Sequence, residues 1–431
     1  MFINTTNHCT FIVEIDRPNV FILMMKLNFL GTASCFPTPI RGVSCTALLL
    51  DEGQIWLFDC GEGSQIQLQK CKNLRPGKVT KIFITHLHGD HLFGLPGLLC
   101  TLGNGSDPNN DKIVDIYGPT GLRKYLITSL ELSRSVPSLK FNIIELHPLD
   151  SQFPEDFMEW NTDFEYIGNA ADKVGEVNYT KISATKIGAP KTSFSSNSLN
   201  HEATNSKDCC NIDPFESYIW DLFGFNGSNY SVKAGILKHR IPSFGYVVTE
   251  KDKPGKLNAF DLQRDYNLKP GPLFGQIKQG KVIDLEDGRK INSDDYLDPP
   301  ITGRKVAIFG DTCDSHGMDL LTRNSDVLVH EATMENSLTN KAIEYGHSTP
   351  EMAAKFAFST NAKKLCITHV SPRYRPLSDL KAGKNDETSQ ENTITVDILK
   401  TEAETYLKSV ESPIDVVVAE DFLILPVPRV Y

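Results

Sequence analysis

Thr85-His86-Leu87-His88-Gly89-Asp90-His91 brings three imidazoles and one carboxylate together in a short polar stretch. The apolar, β-branched run Lys81-Ile82-Phe83-Ile84-Thr85 directly precedes it and predicts a buried strand. Residues 92–99 are apolar and predict the start of a helix. In buried sheets of α/β proteins, ligand sites lie at the carboxyl ends of strands. The stretch therefore predicts a polar site at the carboxyl end of a buried strand.

The residue types in this stretch indicate a metal site. His86 and His88 alternate along the chain and can converge on one metal, while Asp90 and His91 diverge toward a second. No structural role requires four such groups at this spacing, which argues against a chance histidine-rich turn. Imidazole and carboxylate ligands suit zinc best among the common divalent metals. We therefore expect a dinuclear zinc site.

Composition and length place the chain among globular proteins. It has 431 residues, of which 40% are hydrophobic and 23% are charged. There is no run of about 18 apolar residues, so we expect no transmembrane helix. The acidic start argues against a targeting peptide, and the scattered cysteines suggest free thiols in a reducing compartment. We expect a cytoplasmic location, with the nucleus as a further one.

Charge divides the chain into segments. The net charge is −10, and residues 148–230 contain 13 acidic but only 5 basic side chains. We interpret residues 150–230 as an acidic, Ser/Asn-rich insertion forming a surface loop, flexible between about residues 163 and 213. Residues 251–290 carry a basic surplus with Pro and Gly punctuation, which indicates a protruding arm. Residues 1–24 are an N-terminal extension, and residues 25–431 form one domain, with Met25 as an alternative start.

Further ligand candidates follow other predicted strands. His239, Asp311 and His369 each lie near a predicted strand end, where they can join the first cluster. Asp311 is our candidate for a bridge, because a carboxylate has two oxygens and offsets the charge of two cations. Asp59 lies on a glycine-rich turn and can either support a metal-bound histidine or cap its own turn.

Taken with Gly346-His347-Ser348-Thr349 and His330-Glu331-Ala332-Thr333, these residues resemble the short-form tRNase Z family of the metallo-β-lactamase superfamily. The resemblance runs from residue 27 to residue 422, apart from the acidic insertion. It implies a mixed α/β (α+β) fold, a four-layer αββα sandwich with a protruding exosite arm. It also implies two Zn²⁺ ions per subunit.

The resemblance assigns roles to individual residues. It places His86, His88 and His239 on one zinc ion. It places Asp90, His91 and His369 on the other, with Asp311 as the bridge. Asp90 is also the implied base, His347 the implied proton donor, and Glu331 its orienting partner. The implied RNA-binding residues are Arg41, Lys253, Gly271, Pro272, Gly280 and Lys281.

The activity implied by the resemblance is endonucleolytic removal of the 3′ trailer from precursor tRNA, after the discriminator nucleotide. Cleavage leaves a 3′-hydroxyl on the tRNA and a 5′-phosphate on the trailer. The implied partners are precursor tRNA and a second subunit in a homodimer, with no membrane and no DNA. A hydrolase of small phosphodiesters or esters is the alternative, and a tRNA-binding scaffold without turnover is a third hypothesis.

Overall fold

Two eight-stranded sheets pack face to face in the computed structural model, which describes residues 24–102, 112–153, 174–188, 216–376 and 394–429. The predicted N-terminal extension lies outside the described residues except for its last residue. All of the strands and helices below come from the described ranges.

The first sheet has a parallel half built around the strand that precedes the histidine stretch. The spatial order of its strands is β18-β1-β2-β3-β4-β5-β6-β7. They are β1 (Lys26–Gly31), β2 (Cys45–Leu49), β3 (Ile55–Phe58), β4 (Val79–Phe83), β5 (Ile113–Pro119), β6 (Lys140–Leu146), β7 (Glu176–Ile182) and β18 (Ile424–Pro426).

The second sheet carries the later candidate ligands at the ends of its central strands. Its spatial order is β17-β16-β15-β14-β11-β10-β9-β8. The strands are β8 (Thr185–Gly188), β9 (Glu216–Phe223), β10 (Tyr230–Leu237), β11 (Ser243–Glu250), β14 (Lys305–Phe309), β15 (Val327–Glu331), β16 (Lys364–Thr368) and β17 (Asp415–Val418). The short strands β12 (Ile283–Asp284) and β13 (Lys290–Ile291) pair separately.

The helices are short, and the described part of the chain contains none long and apolar enough to cross a membrane. They are α1 (Ser64–Lys70), α2 (Gly89–Leu92), α3 (Leu95–Leu102), α4 (Leu122–Leu132), α5 (Ala259–Tyr266), α6 (Pro272–Lys278), α7 (Asp319–Thr322), α8 (Thr339–Glu344), α9 (Pro350–Ser359) and α10 (Asp397–Ser409). Single 3-10 turns occupy Pro76–Lys78, Asp150–Gln152, Ser293–Asp295, His316–Met318 and Asn336–Leu338.

Three apolar cores define four layers, as the αββα prediction requires. Side chains from both sheets form the central core, which includes Trp56, Phe83 and Tyr246. A second core joins the first sheet to α1, α3 and α4, and a third joins the second sheet to α9 and α10. Strand β4 shows why the apolar run is needed: Ile82 belongs to the helix-facing core and Phe83 to the central one.

Hydrogen bonds tie the two sheets together where β4 ends. The Phe244 amide donates to the Thr85 carbonyl (3.0 Å), and the Gly310 amide donates to the Phe244 carbonyl (3.3 Å). The Tyr246 hydroxyl donates to the Ile84 carbonyl at 2.6 Å. The histidine stretch after β4 is therefore held against the residues that follow β14.

The predicted surface loop over the acidic segment is wrong for the parts that the structure describes. Strand β7 is the last strand of the first sheet, and β8 and β9 end the second. Most residues of β7 are exposed, so an edge strand here tolerates the polar composition that suggested a loop. Residues 154–173 and 189–215 lie outside the described residues.

Local contacts set three boundaries of helices and strands. Helix α9 begins after Thr349, and the preceding Ser348 hydroxyl donates to the Thr312 carbonyl (2.6 Å) instead of capping the helix. Helix α1 begins after Gly63, which has φ +78°. A turn follows β17 and leads to β18, which begins at Ile424.

The predicted arm folds around a small core of its own. Backbone bridges between Lys253 and Ile301 and between Leu257 and Leu297 form its stem. Helices α5 and α6 and the β12–β13 hairpin enclose a core formed by Leu262, Ile277, Ile283 and Ile291. The segment therefore extends about ten residues beyond the predicted end at residue 290.

A buried ion-pair network lies where the arm leaves the second sheet. Arg304, 3% exposed, donates to Glu250 Oε2 from Nε (2.7 Å) and to the Val427 carbonyl from Nη1 (3.1 Å). Its Nη2 lies 2.8 Å from Asp51 Oδ2, in the β2–β3 turn of the first sheet. Arg429 pairs with the same two carboxylates. One guanidinium thus joins both sheets and the arm root.

We predict that Arg304→Met lowers the free energy of unfolding by about 3 kcal/mol, because it leaves buried carboxylates without their main partner. Urea unfolding followed by circular dichroism measures the loss. Arg264→Met is the control, since Arg264 forms only exposed ion pairs on α5. Equal stability of the two variants would show that the network does not hold the fold together.

Candidate metal centre

The predicted ligands converge at the edge where β4, β14 and β16 end. Donor atoms of His86, His88, His239 and Asp311 lie within 4.8 Å of one another, and so do those of Asp90, His91 and His369. In the first group, His88 Nδ1 lies 3.1 Å from His86 Nε2 and 3.2 Å from His239 Nε2. In the second group, His369 Nε2 lies 3.2 Å from His91 Nε2 and 3.3 Å from Asp90 Oδ2.

The Asp311 carboxylate lies between the two groups, with one oxygen toward each. Its Oδ1 is 3.3 Å from both His91 Nε2 and His369 Nε2. Its Oδ2 is 3.6 Å from His86 Nε2 and 3.9 Å from His239 Nε2. With Asp311 counted in both, each group has four donors, the number that zinc prefers. The donor set fits two metal ions that share one carboxylate.

A hydrogen-bond chain from Asp59 orients the histidines of the first sheet. The Asp59 carboxylate accepts from His91 Nδ1 (2.7 Å) and from the Thr85 hydroxyl (2.9 Å). The Thr85 oxygen has then used its proton, so it accepts from His86 Nδ1 at 3.0 Å. The Nε2 atoms of His86 and His91 are left with free lone pairs, the form that ligates a metal. Of the two roles expected for Asp59, support of a histidine is confirmed.

Glu331 orients His369 in the same way from the second sheet. Its Oε2 accepts from the Thr333 hydroxyl (2.6 Å), and the Thr333 oxygen accepts from His369 Nδ1 (2.9 Å). His239 Nδ1 donates to the Gly346 carbonyl at 2.7 Å. Gly346 has φ +77°, and a Cβ there would lie 2.7 Å from His239 Nδ1, so this contact requires glycine.

Burial and neighbouring charge favour neutral imidazoles in the first group. Burial and the neighbouring His239 lower the pKa of His88 to about 4. Burial and His91 hold the pKa of His86 well below its usual range. Because a metal binds the neutral imidazole, both residues can ligate a metal at neutral pH without losing a proton.

His347 and Glu331 form a pair beside the cluster. His347 Nδ1 donates to Glu331 Oε1 at 2.9 Å, and the same oxygen accepts from the Thr312 amide at 2.8 Å. Burial alone would lower the pKa of His347, but the Glu331 carboxylate raises it to about 9. The Glu331 carboxylate therefore favours the protonated form of His347, which can donate a proton from Nε2.

Two residues of the site have left-handed backbone conformations. Asp59 has φ +61° and His369 has φ +57°. Non-glycine residues rarely adopt such angles, and packing must hold them there. In both cases the turn directs a side chain that ends a strand into the cluster.

Comparisons with known proteins agree with this geometry. The chain is 40% identical over 410 residues to the zinc phosphodiesterase ELAC protein 1 of Homo sapiens, which covers 94% of this chain and 99% of that protein. It is 37% identical over 360 residues to the ribonuclease Z of Prochlorococcus marinus subsp. pastoris, covering 83% and 91% respectively. This chain belongs to the ribonuclease Z family.

A solved structure and a family model add to this assignment. The crystal structure of human tRNase Z, short form (ELAC1), matches with 30% sequence identity and a TM-score of 0.56, covering 94% of this chain and all of that one. It confirms the predicted metallo-β-lactamase fold. Residues 25–168 match the family model described as Anti-Pycsar protein Apyc1.

One predicted site residue of this ribonuclease Z family member is misplaced. Arg41 is 3% exposed, and its Nη1 donates to the Thr32 hydroxyl (2.7 Å) and the Ala419 carbonyl (2.9 Å). A buried guanidinium that joins two loops cannot contact RNA from this position, so the expected RNA contact is wrong. The other predicted RNA-binding residues are exposed on the arm: Lys253, Gly271, Pro272, Gly280 and Lys281.

Sequence reasoning missed the residues that orient the histidines. Thr85 and Thr333 lie within the stretches Thr85–His91 and His330–Thr333, but no role is predicted for them from the sequence. The available signal was their position at the end of an apolar run, where Thr85 directly precedes the candidate ligand His86 and Thr333 follows Glu331 by two residues. The contribution of Gly346 is a carbonyl group, which a pattern of side chains does not reveal.

We predict that Asp59→Asn lowers zinc affinity about 10- to 100-fold, because His86 and His91 both lose their orienting carboxylate. Zinc retained against a series of chelator concentrations measures the effect. Asp115→Asn is the control, since Asp115 pairs with Lys81 on the neighbouring strand. Unchanged zinc affinity in Asp59→Asn would contradict the orienting role of the hydrogen-bond chain from Asp59.

Proposed function

We propose that this protein is a zinc-dependent endoribonuclease that removes the 3′ trailer of precursor tRNA after the discriminator nucleotide. The products are a tRNA with a 3′-hydroxyl and a trailer with a 5′-phosphate. The observation that carries the proposal is the shared Asp311 carboxylate between two ligand groups, with the His347–Glu331 pair beside it. The names of the relatives, ribonuclease Z and zinc phosphodiesterase, support it.

Two zinc ions per subunit fit the ligands. His86, His88 and His239 would hold one ion, and Asp90, His91 and His369 would hold the other, with Asp311 available to both. When bound, such ions supply Lewis-acid stabilisation of the phosphoryl oxygens and lower the pKa of water.

Residues of the chain position the reactants. The Cys35 amide donates to Asp90 Oδ2 at 2.7 Å, which fixes the carboxylate that orients the attacking water and accepts its proton. Water forms a new bond to phosphorus while the bond from phosphorus to the ribose 3′-oxygen breaks. Protonated His347, held by Glu331, gives its proton to that leaving oxygen.

The arm supplies affinity for the body of the tRNA. Five of its exposed lysines can contact phosphates, which gives affinity and register without reading sequence. These lysines are Lys253, Lys256, Lys269, Lys278 and Lys281. The exposed Gly271, Pro272 and Gly280 allow close approach of RNA to the backbone. Hydrolysis of small phosphodiesters or esters alone would leave these exposed lysines without a role.

We also propose that the protein acts as a cytoplasmic homodimer, as the resemblance to short-form tRNase Z implies. In that family the arm of one subunit serves the active site of the other. Sedimentation equilibrium tests this arrangement, and a monomer at all concentrations would contradict it.

We predict that His347→Ala reduces the rate of precursor tRNA cleavage at least about 100-fold and leaves the zinc content unchanged. The rate of His347→Ala on a diester with a p-nitrophenolate leaving group should fall much less, because that group leaves without a proton. Single-turnover rates on both substrates, with metal analysis, measure this. Glu331→Gln, which retains the hydrogen-bonding shape, should give a smaller loss. Loss of zinc, or equal losses on both substrates, would contradict proton donation by His347.

We predict that replacing residues 258–296 with a short Gly/Ser linker raises KM for precursor tRNA at least about tenfold and weakens its salt dependence. The bridge between Leu257 and Leu297 allows this replacement without moving the stem. Hydrolysis of bis(p-nitrophenyl) phosphate should continue at the rate of the intact protein. Undiminished cleavage of precursor tRNA would show that the arm does not bind substrate.

A further inference from the structure

A cavity of about 390 Å³ lies beside the candidate metal ligands, and its lining includes His88, Asp90 and His347. Phe36 and Phe93, which come from two different segments, line it on the solvent side, which we call its mouth. The two phenylalanines are 58% and 61% exposed. Large apolar side chains are usually covered, so two such rings beside a charged cluster call for an explanation.

The Phe93 ring is fixed although it is exposed. A Cβ on Gly89 would lie 2.2 Å from Phe93 Cε2, so the ring rests on the backbone of Gly89. Its other neighbour is the Tyr125 ring, with centroids 6.3 Å apart and planes 23° apart. Gly89 stands between the ligands His88 and Asp90, so the ring has a fixed position relative to the metal centre.

The position of Phe36 depends on the Asp90 carboxylate. The preceding residue, Cys35, has φ +66°, and its amide donates to Asp90 Oδ2 at 2.7 Å. The Phe36 amide donates to the Ser34 carbonyl at 2.8 Å. This tight turn directs residue 36 to the mouth of the cavity. Both rings are thus positioned by contacts within a few residues of Asp90.

We propose that Phe93 stacks on a nucleobase adjacent to the scissile phosphate, and that Phe36 provides a second stacking surface at the same mouth. The inference rests on the proposed cleavage of RNA. Single-stranded RNA is bound by stacking its bases on exposed aromatic rings, and stacking tolerates any sequence because every base has a π face. An enzyme that cuts many precursors needs such a sequence-tolerant contact next to the phosphate that it cleaves.

The test compares wild-type protein with Phe93→Leu, which keeps an apolar side chain but has no ring, and Phe93→Tyr, which keeps the ring. Each zinc-loaded protein receives a precursor tRNA and two matched substrates with an abasic nucleotide just before or just after the cleavage site. Phe358→Leu is the matched control, because Phe358 is 44% exposed on α9 and lies outside the cavity lining.

We expect Phe93→Leu to lower kcat/KM on the normal precursor about tenfold, and Phe93→Tyr to lower it less than threefold. With one of the abasic substrates, kcat/KM of wild-type protein should fall about tenfold. The same substrate should not lower kcat/KM of Phe93→Leu any further. In a binding measurement without metal, 2-aminopurine at that nucleotide should lose fluorescence with wild-type protein and not with Phe93→Leu.

Two results would overturn the stacking proposal while wild-type protein still cuts the normal precursor. They are full activity of Phe93→Leu and an abasic penalty that persists in Phe93→Leu. If wild-type protein with its zinc does not cut precursor tRNA at all, the proposed function itself fails.

Discussion

The Asp311 carboxylate is 2% exposed and lies between two groups of imidazoles, and the rest of the site depends on this placement. A buried carboxylate requires compensating charge and hydrogen bonds. It follows β14 in the second sheet, whereas His86, His88 and His91 follow β4 in the first. The carboxylate reaches both groups only if the sheets pack in one relative position. The central core, which includes Trp56 and Tyr246, sets that position.

The ligand set could be predicted because its signal is local and chemically specific. The histidine stretch has a dense spacing that no structural role requires, and it follows an apolar run that forms β4 as expected. His239, Asp311 and His369 came from the same reasoning applied to other strands. Those strands had to be long enough and apolar enough to be recognised. Their convergence is a property of the two sheets, and the sequence indicates it only through the strand ends.

The failures have a common physical cause. The resemblance implies an RNA contact for Arg41, but its guanidinium donates to the Thr32 hydroxyl and the Ala419 carbonyl. Strand β7 looked like a loop because an edge strand with exposed side chains lacks an apolar period. Thr85 and Thr333 act by passing a hydrogen bond from a carboxylate to a histidine. In each case a contact between residues distant in sequence decides the role, and composition does not contain it.

The proposed function gives the metal centre and the arm different tasks. The metal centre and the His347–Glu331 pair provide chemistry that any phosphodiester could undergo. The arm has its own core and attaches next to the buried Arg304 network, so it can be rigidly placed relative to both sheets. Anomalous diffraction from zinc-loaded crystals at the zinc edge tests the shared carboxylate most directly. The account predicts two peaks, one on each side of Asp311, and each peak should mark a zinc ion bound by one of the two ligand groups. A single peak, or a peak without Asp311 among its ligands, would contradict it.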